Sequence, residues 1–359
     1  MTDNRQLLKG NEAFAEAAIA AGCRYYFGYP ITPQNELTEY MSRVLPSVGG
    51  SFVQAESELA AISMAYGAAA AGGRALISSS SPGIALMQEG ISFLCSANIP
   101  MVLLNVSRGG PGVGGIQPGQ ADYFLATRVG GIVDYHTLVY APASIQESIN
   151  ILMQAYETAE KYRNPLMLLV DGMLGQMMEP VVVPDGVETI PTTDLHALNP
   201  WAVTGHRGSR ERRVIRSLRL KPDELERSIE ERGEKYARAE IELTSYEAID
   251  LDGAEIVFVA FGSTSRIVKE SLTALKRMRI KGGLIRPITL WPFPYRAFDG
   301  IDKRTKAVVS VELSKGQLIQ DVKLGVNGRF PVKLIHRTGG MLLTPEEIVA
   351  AAKNISEVN

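Results

Sequence analysis

The 359-residue chain is 45% hydrophobic and 21% charged, with a formal net charge of −2. That length exceeds what one hydrophobic core ordinarily organises, so two domains are expected, while the absence of a domain-wide basic excess argues against a nucleic-acid partner held by counterion release. The only cysteines, Cys23 and Cys95, form no C-x-x-C pair, and His136, His196, His206 and His336 are scattered, so the chain is expected to build neither an iron–sulfur cluster nor a metal site alone.

The opening stretch MTDNRQLLKG lacks the apolar core of a signal peptide, and no later run approaches a membrane span. A cytoplasmic protein without membrane contact is expected. FGYPITPQNE (27–36) follows a short aromatic run and sets prolines on both sides of Ile31 and Thr32. Proline fixes its own φ and pushes the preceding residue toward extended geometry, so Tyr29–Pro33 reads as a stiff turn ahead of a helix opening near Asn35.

From Arg24 to about Asp171, uniformly apolar runs alternate with longer helical segments. RALISSS (74–80), PMVLLNV (100–106), HTLVYAP (136–142) and PLMLLVDG (165–172) predict buried strands, and ESELAAISMAYGAAAAG (56–72) and SIQESINILMQAYETAEKY (144–162) predict helices. This alternation implies a doubly wound parallel α/β sheet whose ligands bind at the carboxyl ends of the strands. Residues 179–200 are rich in turn formers, and KPDELERSIEERGEKYARAEIE (221–242) predicts a strongly charged helix with a thin apolar stripe, a surface strut between domains whose charged face is solvated. Alternation then resumes with strands at 254–262, 282–288, 306–313 and 331–336 and a helix at 263–280. The expected division is a first domain at 1–190, a linker with its charged helix at 191–252, and a smaller α/β domain at 253–359.

Four features fall on one rim of the first sheet: YPITP, the acids Glu56 and Glu58, SSSSPG (78–83) and SRGGPGVGG (107–115). A glutamate opening an apolar, small-residue helix serves its macrodipole or, partly desolvated, shares a proton with a bound nitrogen base. Arg108, beside five glycines in seven positions, is either a strand-exit arginine or a bidentate clamp for a carboxylate under a mobile loop.

GYPITPQNE, QAESELAAISMAYGAAAAG, SSSSPGIALMQEGISFL, RPITLWPFP and VELSKGQLIQDVKLGVNGR together resemble the alpha subunit of the 2-oxoacid:ferredoxin oxidoreductases, closest to the short 2-oxoisovalerate and 2-oxoglutarate forms, from about residue 8 to the end. The resemblance implies a thiamine-diphosphate pyrimidine-binding-like domain followed by a transketolase C-terminal-like domain. It implies that Glu58 contacts N1′ of the aminopyrimidine and that Thr32 and Arg108 face the 2-oxoacid. Tyr29, Pro30, Ile31, Ser81 and Pro82 are expected to contact the cofactor. The family's G-D-G…N motif for pyrophosphate and Mg²⁺ is missing, since VDGMLGQM (170–177) has only the Asp-Gly. The resemblance therefore implies a pyrophosphate-binding beta subunit that holds Mg²⁺, a gamma subunit, a ferredoxin-like subunit with [4Fe-4S] clusters, coenzyme A as acyl acceptor and ferredoxin as electron acceptor. Ile132 and Val133 in GGIVDYH (130–136) stand where a small or polar pair is expected. Two other classes stay open: a component of another thiamine enzyme, transketolase-like or lipoamide-linked, and a non-enzymatic nucleotide-binding subunit, the latter without a G-x-x-x-x-G-K-[ST] motif.

Overall fold

A computed structural model describes residues 5–186, 199–206, 208 and 210–357. In chain order the first part builds β1 (Gln6–Lys9), α1 (Gly10–Ala20), β2 (Tyr25–Gly28), α2 (Asn35–Val44), β3 (Ser51–Gln54), α3 (Glu58–Ala70), β4 (Ala75–Ser79), α4 (Ser81–Leu86), α5 (Gln88–Ser96) and β5 (Met101–Ser107). It continues with α6 (Tyr123–Thr127), β6 (Leu138–Tyr140), α7 (Ile145–Tyr162), β7 (Pro165–Asp171), α8 (Gly172–Gln176) and β8 (Met178–Val181). The uniformly apolar runs become β4, β5 and β7, buried at every residue because helices cover both faces of the sheet. The seven-stranded order is β12-β6-β7-β5-β4-β2-β3, where β12 is Thr289–Trp291, and every pairing is parallel except β12 with β6.

The second sheet has the order β14-β13-β10-β11-β9, formed by β9 (Tyr246–Ile249), β10 (Ile256–Val259), β11 (Gly282–Pro287), β13 (Ala307–Glu312) and β14 (Val332–His336), with β9 its antiparallel edge. Helices α9 (Pro222–Glu242), α10 (Thr264–Arg277), α11 (Leu318–Val326) and α12 (Pro345–Glu357) complete the chain. Among the short strands not evident in the sequence pattern are β1, β3, β8, β9 and β12. β1 pairs with β8 as a ribbon, β9 extends the second sheet from the connecting segment, and β12 crosses from the second unit into the first sheet. Strands this short carry too little periodic signal to read.

The charged strut expected at 221–242 forms as α9 and is exposed over most of its length, but its buried stripe includes two cations. Ser228, Arg232, Lys235, Tyr236 and Ala239 are buried on one face of α9, and Tyr236 lies edge-on to both His136 and Trp291, which stack at 4.3 Å. Lys235 Nζ reaches Asn98 Oδ1 at 2.9 Å and the Arg163 carbonyl at 3.2 Å, and burial pushes its ammonium down to about 8. Long cationic side chains cover apolar surface with their stems, so a charged pattern understates what such a helix buries. Part of the turn-rich stretch, 187–198, lies outside the described residues. Among the described residues no helix is long and apolar enough to cross a membrane.

Side chains cross between the two units at saturated polar contacts. Gln120 donates to the Phe261 carbonyl at 3.0 Å and accepts from Thr264 Oγ1 and Leu313 N, also at 3.0 Å each. Asp321 accepts from Tyr123 Oη at 2.6 Å, Arg128 Nη2 at 2.6 Å and Tyr295 Oη at 2.5 Å. Arg286 forks onto Glu147 at 2.9 and 3.0 Å and reaches Glu247 at 2.7 Å. These contacts fix the carboxyl ends of the first sheet against the second unit.

Candidate active site

The stiff turn after β2 is gripped as well as pre-shaped. The Pro33 carbonyl accepts from Asn11 Nδ2 and from Gln176 Nε2, each at 2.7 Å, and both amides also reach Glu36 Oε2 at 2.9 Å. Below the turn, Tyr26 Oη meets Thr38 Oγ1 at 2.9 Å and Ser78 Oγ at 2.7 Å, and Ser78 donates to Gln34 Oε1 at 2.6 Å. The helix opens at Asn35, as its sequence implies. Thr32 and Ile31 are half-buried, while Tyr29 and Pro30 stand exposed on the outer lip.

Glu58 is the first residue of α3, whose N-cap Ser57 accepts from Ala60 N at 3.2 Å. It is only 6% exposed, yet its carboxylate makes no hydrogen bond among the described residues. Glu56, two residues earlier, is exposed. Glu58 lies against the first turn of α4: a Cβ built at Gly83 would sit 2.5 Å from Glu58 Oε1 and 2.1 Å from Ser79 Oγ. Any side chain there would displace the acid, so Gly83 is what allows a carboxylate at this place.

Ser81 and Pro82 open that same helix. Ser81 Oγ accepts from Arg108 N at 3.0 Å and lies 3.3 Å from the Arg108 carbonyl. Arg108 is itself buried, with Nη1 donating to the Thr32 carbonyl at 2.8 Å and Nη2 to the Val113 carbonyl at 2.9 Å. One guanidinium thus ties the stiff turn to the glycine loop. The loop needs its glycines, because Gly112 and Gly114 take φ of 67° and 59° and a Cβ at Gly114 would strike the Gly109 carbonyl. Beneath it, Asn105 Nδ2 donates to Asp122 Oδ2 at 2.8 Å, and Asn105 Oδ1, Ser107 Oγ and Arg108 Nε are buried without a partner. Burial pushes the Asp122 carboxyl up, against the opposing pull of Ser81, Asn105, Ser107 and Arg108. A cavity of about 1090 Å³ opens between Ser81–Pro82, the loop, Asp122 and the Leu313–Gln317 segment of the second unit.

Contacts therefore run from Thr32 through Arg108 and Ser81 to α4, and from α4 through Gly83 to Glu58. Sequence reasoning missed Asn105, Ser107 and Asp122. The i, i+2 spacing of Asn105 and Ser107 at the end of an apolar strand was the available signal, since it puts two polar groups on one face. Glu312 of the VELSKGQ motif has a structural task, accepting from Ser310, Ser314 and the Gln317, Leu318 and Ile319 amides at the start of α11. Asp171, of the Asp-Gly remnant, caps α8 through Met173 N and Leu174 N and accepts from Ser263. Among the described residues no three His, Cys, Asp or Glu side chains are grouped to hold a metal.

The residues present fit a thiamine cofactor at Glu58: a buried carboxylate without a hydrogen-bond partner among the described residues, and a glycine where a Cβ would block it. Asp171, of the Asp-Gly segment, is engaged in capping α8 and in accepting from Ser263. Residues 16–248 match the family described as pyruvate flavodoxin/ferredoxin oxidoreductase, thiamine diphosphate-binding, and 254–348 match pyruvate:ferredoxin oxidoreductase core domain II. The ketoisovalerate oxidoreductase subunit VorB of Methanothermobacter marburgensis is 45% identical over 98% of both chains. The 2-oxoglutarate synthase subunit KorA of Methanocaldococcus jannaschii is 34% identical over 96% of this chain and 98% of that one. A solved 2-oxoglutarate:ferredoxin oxidoreductase of Magnetococcus marinus, with 2-oxoglutarate, coenzyme A and succinyl-CoA bound, superposes with a TM-score of 0.83 at 25% identity, over 98% of this chain and 65% of that one. A split-gene transketolase at 15% identity and TM-score 0.58 shares the fold. The chain belongs to the pyruvate flavodoxin/ferredoxin oxidoreductase family, as a subunit of a 2-oxoacid:ferredoxin oxidoreductase that carries the family's thiamine-diphosphate-binding domain and core domain II.

Proposed function

We propose that this chain supplies the pyrimidine half of a split thiamine-diphosphate site in an enzyme that converts a 2-oxoacid and coenzyme A to an acyl-CoA and CO₂, passing electrons to ferredoxin. The observation that carries this reading is Glu58, a buried carboxylate with no hydrogen-bond partner among the described residues, seated on Gly83 at the rim. When bound, the cofactor supplies a nucleophilic thiazolium carbon and takes up the electron pair freed with CO₂. Glu58 holds a proton between its carboxylate and the pyrimidine ring nitrogen, and burial strengthens that contact. Tyr29, Pro30, Ile31, Ser81 and Pro82 border the cofactor from the turn and from α4. Thr32, fixed through its own carbonyl and that of Pro33, offers a hydroxyl to the 2-oxoacid. Arg108 acts on the substrate carboxylate by exchanging the Val113 carbonyl for it, a step that a five-glycine loop permits.

The pyrophosphate, Mg²⁺ and [4Fe-4S] clusters then belong to partner subunits: a beta subunit, a gamma subunit and a ferredoxin-like subunit. The outward face of α3 supports a partner there, because Leu59 and Met64 stand exposed beside Ser63 and Gly67. The branched-chain substrate, 2-oxoisovalerate, is favoured by the identity to VorB and by the apolar side chains Ala85, Leu86, Val113, Leu125 and Leu313 around the cavity. Lys315, on the same lining, favours 2-oxoglutarate as the second reading, since it can face a distal carboxylate. Steady-state kinetics of the reconstituted complex on both acids decide the point. A preference for 2-oxoglutarate that disappears in Lys315→Met would overturn the branched-chain assignment. Calorimetry on the isolated chain is expected to show weak thiamine-diphosphate binding, and tight Mg²⁺-dependent binding without a partner would overturn the split site.

A further inference from the structure

Residues 211–220, ERRVIRSLRL, form neither helix nor strand, yet exposure alternates along them with the two-residue period of an extended chain. Arg213, Ile215, Ser217 and Arg219 face inward. Arg212, Val214, Arg216, Leu218 and Leu220 face outward, and the three aliphatics are 67%, 65% and 84% exposed. Isolated exposed aliphatics are ordinary, but three in register on one extended edge make a patch that marks an interaction surface. The backbone is equally open. Among the described residues these ten make no backbone–backbone hydrogen bond, and the only bonds to their main chain come from Ser96 Oγ to the Ser217 carbonyl and from Arg210 to the Glu211 carbonyl. An unpaired row of N–H and C=O groups is a template for another strand.

The charge on this edge has one sign. Arg210, Arg212, Arg213, Arg216, Arg219 and Lys221 are set against Glu211 alone in the segment, and Glu224 meets only Arg216 and Lys221, at 3.5 and 3.4 Å. A hollow lies on either side. One, of about 640 Å³, is lined by Arg163, Trp201, Arg213, Arg216 and Arg219 with no acid on its wall. The other, of about 400 Å³, is apolar and lined by Ile62, Tyr66, Phe93 and Leu218. The first sits beside the entry of β5 and β7, a full strand length of roughly 20 Å from the rim that holds Arg108 and Asp171, and the second lies between α3 and α5.

We infer that residues 211–220 are a docking edge for an extended, acidic and apolar segment of a partner subunit. That segment adds beside them as a strand, places carboxylates in the arginine-lined hollow and sets an apolar side chain in the other. The inference rests on the reading that the chain works inside a hetero-oligomer. A second copy of this chain would bring the same six cations against each other, and a small anion would leave Val214, Leu218 and Leu220 uncovered, so the acidic segment fits best.

Amide hydrogen exchange on the reconstituted complex tests it, after the wild-type chain has been shown to assemble. Failure of the wild type to bind any partner subunit would defeat the hetero-oligomer reading itself and is seen before any variant is made. The 211–220 amides are expected to exchange freely in the isolated chain and to be protected at least tenfold in the complex. Arg212→Glu, Arg216→Glu and Arg219→Glu together are expected to weaken assembly about a hundredfold and to abolish its salt dependence, and Val214→Ala with Leu218→Ala and Leu220→Ala about tenfold. The melting temperature of the isolated chain should hardly move in either variant. Unprotected 211–220 amides in an intact complex would overturn the inference, and so would protection that survives the charge reversal with affinity unchanged. Concentration-dependent protection in the isolated chain would assign the edge to a second copy and overturn it equally.

Discussion

The seam between the two units and the rim of the first sheet are built from the same polar residue types, and they differ in how completely those residues are paired. On the seam, Asp321 takes three donors, Gln120 three partners and Arg286 two carboxylates. On the rim, among the described residues, Glu58 has no hydrogen-bond partner, and Asn105 Oδ1, Ser107 Oγ and Arg108 Nε lie buried and unpaired. Buried polar groups in folded proteins are almost always satisfied, so unpaired ones gathered at one place mark where a ligand or water completes the network. The seam holds the fold; the rim is held by it.

The largest expected effect is at the rim. Glu58→Gln should slow hydrogen–deuterium exchange at the thiazolium carbon of the bound cofactor by on the order of 10²–10⁴, followed by quenched NMR, while Glu56→Gln stays within a few-fold. The two acids stand two residues apart, one buried and one exposed. Equal effects would mean that both serve only the helix and that the contrast between rim and seam fails.

On the seam, Arg286→Met removes the guanidinium shared by Glu147 and Glu247. Breaking a buried pair costs about 3–5 kcal/mol; both carboxylates are part-exposed and keep Ala143 N and Lys269 as partners, so the loss should fall below that range. Denaturant unfolding should show that loss with exchange at the thiazolium carbon nearly unchanged. Next comes Arg108→Ala: a charge-assisted contact is worth roughly 1.5–3 kcal/mol, so KM for the 2-oxoacid should rise about tenfold to more than a hundredfold. Arg108→Lys should recover only part, because an ammonium cannot hold the Thr32 carbonyl and a carboxylate in one fork. An unchanged KM in both variants would reduce Arg108 to a strut between turn and loop.

Legibility followed the same division. The central strands were plain because both faces are buried, so their residues are uniformly apolar, and Glu58 was plain because an acid is conspicuous at the head of an apolar helix. The short strands β1, β9 and β12 were not, since each is decided by a partner distant in the chain: Gln6 with Val181, Ile249 with Leu284 and Thr289 with Tyr140. Arg108 could be singled out but its grip on Thr32, 76 positions away, could not. Asp122 was passed over because nothing local separates it from a surface acid in QADYF; only folding brings it under Asn105.

Asp122 supplies the smallest effect and the finest distinction. Its carboxyl is raised by burial in the folded chain, so between its unfolded and folded titrations the native state binds more protons than the unfolded one. Stability from this group is present below the unfolded value, about pH 4, and is lost as pH rises through the folded value. Asp122→Asn removes the titration while keeping the shape. Calorimetric melts of both proteins from about pH 4 to 7 should therefore diverge, with the variant the more stable only toward neutrality. A rim residue whose replacement stabilises the chain, set beside a seam residue whose replacement destabilises it, is the behaviour expected when rim groups are held for chemistry at a cost to folding. A flat difference across that range, or a loss, would place Asp122 with the seam.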